Sequence, residues 1–444
     1  MAADRHTTRG PPMKPLLRRG LEYALVWGIA LAIYVGNHSC GSSGDTVPAR
    51  VLPISMLKEH DLDMDEFQPH IISGKRYCMV RVGDRWLSSY PLGPAFTALP
   101  VYAAAYLIVP DLYGSRMDSY YEDDGSDEDH PVANAMEKAS AAIVAALSAM
   151  VLWMIARRQA GLWASLWVTG AYAFGTSVMS SASQGLWTHG PSCLSLLLML
   201  FFLLEPERKA SSMLLAGLAA GWAFFCRPTN AVPIAILAAW VLLNERRRVL
   251  WFILGVLLVA APTYHLYLHL YGTALGGNSA RGATFNGFHL RVLMGLLFSP
   301  SRGLFVFSPF LLFGLAAGVA ILLRKPREVA AGCAVAAGAY VVLYACRTLW
   351  GGGFSFGPRL LCDVVPFLMI PLLAGFEAVR RHRAVFALFA ISVAFSILVH
   401  VLGAYGGEHG WNGRVYERQR DAQLWQVRDS QIVWTLFGRP DRAE

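Results

Sequence analysis

The sequence predicts an all-α polytopic membrane protein of about eleven transmembrane helices, with a long first extracytoplasmic loop that carries interfacial helices. Three observations lead there. Apolar runs long enough to cross a bilayer recur from one end of the chain to the other. Only 15% of the 444 residues are charged against 55% hydrophobic, and the mean hydropathy is +0.42. A soluble surface of this size needs far more charge. The Lys and Arg residues fall in short clusters between the apolar runs, where they set topology, so the net charge of +8 is not a nucleic-acid signature.

The first apolar run, Leu21–Val35, follows a basic tail (residues 1–20) read as cytoplasmic. No small-residue cleavage site follows it, so it is read as a retained helix. The basic linkers are Arg157-Arg158, Pro206–Lys209, Glu245–Arg248, Arg324–Arg327 and Arg380–Arg383. With all of them inside, the spans become 21–36, 137–156, 163–182, 191–204, 211–226, 229–243, 249–267, 304–323, 328–345, 361–378 and 384–403. The multi-span domain then covers 21–403, and a tail, 404–444, lies outside. In this scheme YPLGPAFTALPVYAAAYLIVP (Tyr90–Pro110) does not span but lies in the outer interface, in keeping with its prolines and flanking tyrosines.

All the long loops, 37–136 above all, then lie on one face, which is where a function is expected. No internal repeat of the kind common in alternating-access transporters is present. Cys40 and Cys78 share the first loop, which admits a disulfide if that loop is extracytoplasmic. The stretch VPARVLPISML reads as an amphipathic, lipid-hugging helix, the acidic run 121–130 as a solvated loop, and Asp61, Asp63, Asp65 and Glu66 as a solvated face, the alternative being a metal site. His265 and His269 lack an HExxH-type glutamate and are read as structural.

Four outer-face stretches hold the candidate chemistry. In GSSGDT, the carboxylate of Asp45 stands alone at the mouth of the first helix, placed to act as a general base. In SQGLWTHGPS, Gln184, Trp187 and His189 are candidates for contacting a hydroxylated ligand, the alternative being an aromatic belt with a polar neighbour. In WGGGFSFGPRLLCDVVP, Trp350 is a further ligand candidate and the glycines permit close backbone approach. Arg359, entering the bilayer there, either binds a lipid phosphate or pairs with Asp363 one turn on. Arg302, Lys138 and Arg227 add cations at helix ends, a set that suggests an anionic headgroup site. Glu408 and His409 of the tail either line the cavity or lie on a surface loop.

The order of GDTVPARVLPISML, YPLGPAFTALPVY, EKASAAIVAALSAMVLWMIARR, ASQGLWTHGPS and GGGFSFGPRLLCDVVPFL resembles the GT-C superfamily of polytopic glycosyltransferases. It is similar to the branch that includes the protein-O-mannosyltransferases and aminoarabinose transferases. The resemblance implies a GT-C-like fold in a bacterial inner membrane. It also implies inverting transfer of one sugar from a polyprenyl phosphate to a hydroxyl on a glycan, lipid or protein at the outer face. Asp45 would be the base, Lys138, Arg359 and Arg302 would hold the donor phosphate, and His189, Gln184, Trp187 and Trp350 the sugar or acceptor. No cofactor and no metal are implied. The sequence departs from the family where many relatives carry Asp-Glu, having Asp45-Thr46, and where many carry a second acidic residue in the next outer loop, having His189. The rival reading is a transporter or flippase of lipid-linked sugar, with Asp45 as a gate.

Overall fold

The computed structural model describes residues 15–69, 71, 73–109, 131–277, 285–406, 411–412 and 423–437. Helices dominate it. Pro15–Val35 (α1) runs antiparallel to Pro131–Gln159 (α4) and packs along it. At one end Glu22 meets Arg157 at 3.2 Å, and near the other Tyr34 donates to the Ala173 carbonyl at 2.9 Å. Between them lie Val47–Lys58 (α2), the strands Met79–Val82 (β1) and Arg85–Ser88 (β2), and Gly93–Ile108 (α3). After α4 come Leu162–Phe174 (α5), His189–Leu203 (α6), Ala210–Cys226 (α7), Ala231–Asn244 (α8) and Val249–Tyr271 (α9). The chain continues with Leu290–Phe298 (α10), Leu304–Phe307 (α11), Leu311–Arg324 (α12) and Val329–Ala345 (α13). It closes with Val365–Arg381 (α14), Arg383–Tyr405 (α15) and Gln431–Phe437 (α16).

Every expected span falls on a helix, but two are interrupted. The run 163–182 leaves helical geometry at Gly175 and resumes as a π turn, Val178–Ala182. The run 304–323 breaks at Pro309, which has no N–H to continue the helix. Among the described residues, four helices are long and apolar enough to cross a membrane: 132–159, 249–271, 359–381 and 383–405. Helices α7 and α9 approach backbone to backbone because Gly217 and Gly255 face each other, and a Cβ on either would strike the opposite main chain.

The basic linkers do gather at one end. Arg158 lies 3.7 Å from Glu205, and Arg208 lies 2.7 Å from Glu245. Consequently the C-terminus of α1, the N-termini of α4 and α6, and the C-termini of α7 and α13 share the opposite end, where Asp45 sits.

The first loop differs from its sequence reading in three ways. Helix α2 buries every residue from Val47 to Ser55, so it is a core element and not an amphipathic one lying on lipid. Arg50 anchors it, donating to Asn134 Oδ1 at 2.7 Å beside Glu137 at 3.9 Å. The β1–β2 hairpin adds a short antiparallel pair to an otherwise helical chain, turning at Gly83 with φ +61°. The acidic run at 61–66 is only partly a solvated face, with Asp65 exposed. Asp61 accepts from Ser55 Oγ at 2.7 Å, Asp65 accepts from the Trp86 amide at 2.6 Å, and Asp63 is buried. Cys40 and Cys78 are not bridged to each other. The acidic run 121–130, Glu408 and His409 lie outside the described residues.

Candidate functional site

Asp45 stands on a turn built by its own neighbours. Ser43 Oγ accepts from the Asp45 amide at 3.1 Å, and Thr46 Oγ1 donates to the Ser43 carbonyl at 3.0 Å. Gly44 leaves room for a tyrosine to reach over, since a Cβ there would lie 2.6 Å from Tyr77 Oη. Among the described residues, three donors converge on the carboxylate. Tyr77 donates to Oδ1 at 3.1 Å, Tyr90 donates to the same oxygen, and Arg359 Nη2 donates to Oδ2 at 2.9 Å. Asp45 therefore comes within contact of Arg359, a residue 314 positions away.

Arg359 is held on its other sides. Its guanidinium lies 3.8 Å over the Trp187 ring, and its Nε donates to the Gly352 carbonyl at 3.0 Å. The glycines of GGGFSFG serve this purpose. Gly352 and Gly353, with φ +78° and +68°, turn their carbonyls inward to accept guanidinium protons.

Asp363 does not pair with Arg359. It lies one turn deeper and is wholly buried, taking His189 Nδ1 at 2.6 Å, Arg227 Nε at 3.4 Å and the Ser192 hydroxyl. Arg227 is gripped further by Tyr340 at 3.1 Å and by Tyr344. Its Nη1 lies 2.6 Å from His189 Nε2 and 2.7 Å from Nδ1. His189 is thus a buried link between two charges.

The other candidates for sugar or acceptor contact are likewise enclosed. Gln184 uses its amide fully: Oε1 accepts from Asn37 at 2.7 Å and from Lys138, while Nε2 donates to the Met179 carbonyl at 2.9 Å. Trp187 is the platform under Arg359, and Trp350 packs against Gly295 and Trp425. Trp350, Trp187, His189 and Gln184 are 1–3% exposed and engaged with protein groups.

Arg302 is engaged by backbone carbonyls and the tail. It clamps the glycine loop, donating to the carbonyls of Ser355, Gly357 (3.3 Å) and Gly353 (2.9 Å). It also donates to Gln431 Oε1 and Asn412 Oδ1 of the tail, both at 3.2 Å. Asn412 and Gln431 are therefore tied into this end of the bundle.

The structure adds a cation that sequence reading passed over. Arg347, just beyond α13, has a buried Nε with no hydrogen-bond partner among the described residues. Burial disfavours its charge, and the nearby Arg227 and Arg359 add to that, against Tyr344 and Asp45, which favour it. Three guanidiniums thus interact where Asp45 and Asp363 are the carboxylates, an arrangement that an added anion would relieve. The signal available in sequence was slight: a lone Arg before a Trp-Gly-Gly-Gly run.

No protein-family profile matches the sequence, and no curated protein does. The fold is similar to that of a solved structure. It is that of ArnT from Cupriavidus metallidurans, crystallised with undecaprenyl phosphate bound. The match covers 95% of this chain and 74% of the ArnT chain at a TM-score of 0.52 and 14% identity. At that identity the likeness concerns the fold.

Proposed function

We propose that this protein is a glycosyltransferase that moves a sugar from a polyprenyl-phosphate donor to a hydroxyl acceptor, inverting the anomeric centre, at the outer face of a bacterial inner membrane. The observation that carries the reading is a partly exposed carboxylate, Asp45, set against Arg359 with Arg347 and Arg227 close by. A base and a phosphate site side by side are what this chemistry needs. The likeness to a fold crystallised with undecaprenyl phosphate supports the donor class.

In this reading Asp45 takes the proton of the acceptor hydroxyl as its oxygen bonds to the anomeric carbon. The bond from that carbon to the phosphate oxygen breaks, and polyprenyl phosphate leaves with the electron pair. Arg359 and Arg347, with Lys138 as a further cation, stabilise the charge that grows on the leaving phosphate. Trp187 and the Gly352 carbonyl keep Arg359 in place, so little reorganisation is needed as the charge develops. No cofactor enters these steps, because the donor brings its own leaving group.

The test is transfer of radiolabelled sugar from a panel of polyprenyl-phosphate sugars in membranes, comparing wild type with Asp45→Asn. Transfer by the wild type and none by the variant supports the reading. Equal transfer by both removes Asp45 as base. Donor binding without transfer from any donor replaces the enzyme with a lipid-linked-sugar flippase.

A further inference from the structure

The proposed base and the proposed phosphate ligand occupy each other. Asp45 Oδ2 accepts from Arg359 Nη2 at 2.9 Å, and Oδ1 accepts from Tyr77 at 3.1 Å and from Tyr90. An opposite charge and hydrogen bonds on a carboxylate favour its ionised form and make it a poor proton acceptor. In the same contact, the guanidinium edge that would receive a phosphate already holds an anion of similar geometry.

We infer that the Asp45–Arg359 pair is a latch that the donor phosphate opens: the phosphate replaces the carboxylate on Arg359 and so frees Asp45 to act as base. This rests on the proposed glycosyltransferase reading, in which Arg359 binds the donor phosphate. The two partners differ in how firmly they are held. Arg359 is stacked on Trp187 and bonded to Gly352, with its side chain 8% exposed. Asp45 sits on a short turn next to half-exposed Tyr77, and its side chain is 23% exposed. The carboxylate is therefore the mobile member, and the two phenols remain to orient it once Arg359 is taken. Deprotonation of an acceptor would then depend on donor occupancy, and the site would bind its substrates in order, donor first.

The experiment measures binding of undecaprenyl phosphate, without sugar, to the full-length protein in nanodiscs. A mere loss of contact in Asp45→Asn would leave affinity unchanged or lower it. Removal of a competing anion raises it, by about tenfold or more, the equivalent of about 1.4 kcal/mol per tenfold. The gain must vanish when Arg359→Gln is added. A gain that persists in the double variant reports general charge repulsion and overturns the latch, as does an unchanged or weaker affinity in Asp45→Asn. Should Arg359→Gln not fold, the wild type still decides. Isotope-edited infrared difference spectra, with Asp45→Asn to assign the band, should show the Asp45 carboxylate changing partners on lipid addition, and an unmoved band overturns the inference. Binding to neither form overturns the glycosyltransferase reading as well, whereas binding without the gain overturns the latch alone.

Discussion

The two carboxylates at this end of the bundle should separate cleanly when each is replaced by its amide. Asp363 is wholly buried, and its oxygens take His189 at 2.6 Å, Arg227 at 3.4 Å and Ser192. Asp363→Asn keeps the size and an acceptor but removes the charge, leaving Arg227, with only 9% of its side chain exposed, among neutral phenols. Breaking a buried pair from one side costs about 3–5 kcal/mol. The remaining bonds to Tyr340 and Tyr344 place this variant at the lower end, about 3 kcal/mol, or roughly a hundredfold in the folded-to-unfolded ratio. Asp45 and Arg359 are closer to solvent, at 23% and 8%, and Asp45→Asn should cost about 1 kcal/mol or less. Equilibrium unfolding in detergent micelles, followed by tryptophan fluorescence, measures both. The reasoning is refuted if Asp363→Asn lies within about 0.5 kcal/mol of wild type, or if the two variants are equally destabilised.

Removing the Arg302 clamp should loosen the tail before it loosens the bundle, so Arg302→Gln is expected to speed limited proteolysis near Asn412 and Gln431 while the helices up to Tyr405 remain protected. Trp187→Ala removes the platform under Arg359, an interaction of about 1 kcal/mol, and should raise the donor KM several-fold in transfer assays with a smaller change in kcat. Glu66 lies in the first loop, and burial raises its pKa to about 7. The folded state therefore holds a proton there that the unfolded state releases, and this contribution, complete below the unfolded carboxylate's pKa, is lost as pH rises through about 7. Glu66→Gln should flatten the fall in stability between about pH 5 and pH 7 and stabilise the protein above it, read by thermal melts across pH. Among the described residues, Asp45 meets a guanidinium and two phenols, and no group of three or more His, Cys, Asp or Glu side chains could hold a metal, so transfer is expected to survive EDTA.

The helices were legible because their signal is local. Apolar length and basic linkers place 21–36 beside 137–156 without any knowledge of contacts, and the Glu22–Arg157 pair shows the two ends meeting as the linkers imply. The first loop was less legible. In VPARVLPISML the polar residues suggested a solvated face, yet Arg50 is buried against Asn134 and Glu137, partners more than eighty positions away. The hairpin strands are four residues each, too short for periodicity to announce.

The site was legible in place but not in wiring, and the reason is electrostatic. At the end of a bundle, each isolated Arg, His or Gln looks like an outward contact, because its partner is invisible in sequence. Arg359 had Asp363 four residues on, the natural helical partner. The segment 359–364 is, however, a 3₁₀ turn followed by α14, which carries Asp363 down towards His189 and Arg227. That leaves Arg359 to Asp45 across the chain. Asp45 alone of the candidates keeps both partial exposure and a charged partner close to further uncommitted cation, namely Arg347 with its unpartnered Nε. Deciding which cations were already committed required the fold: Arg302 and Arg227 are taken by carbonyls, phenols and Asp363, which leaves for an anion Arg347, Arg359 once Asp45 gives it up, and Lys138 on the Gln184 amide.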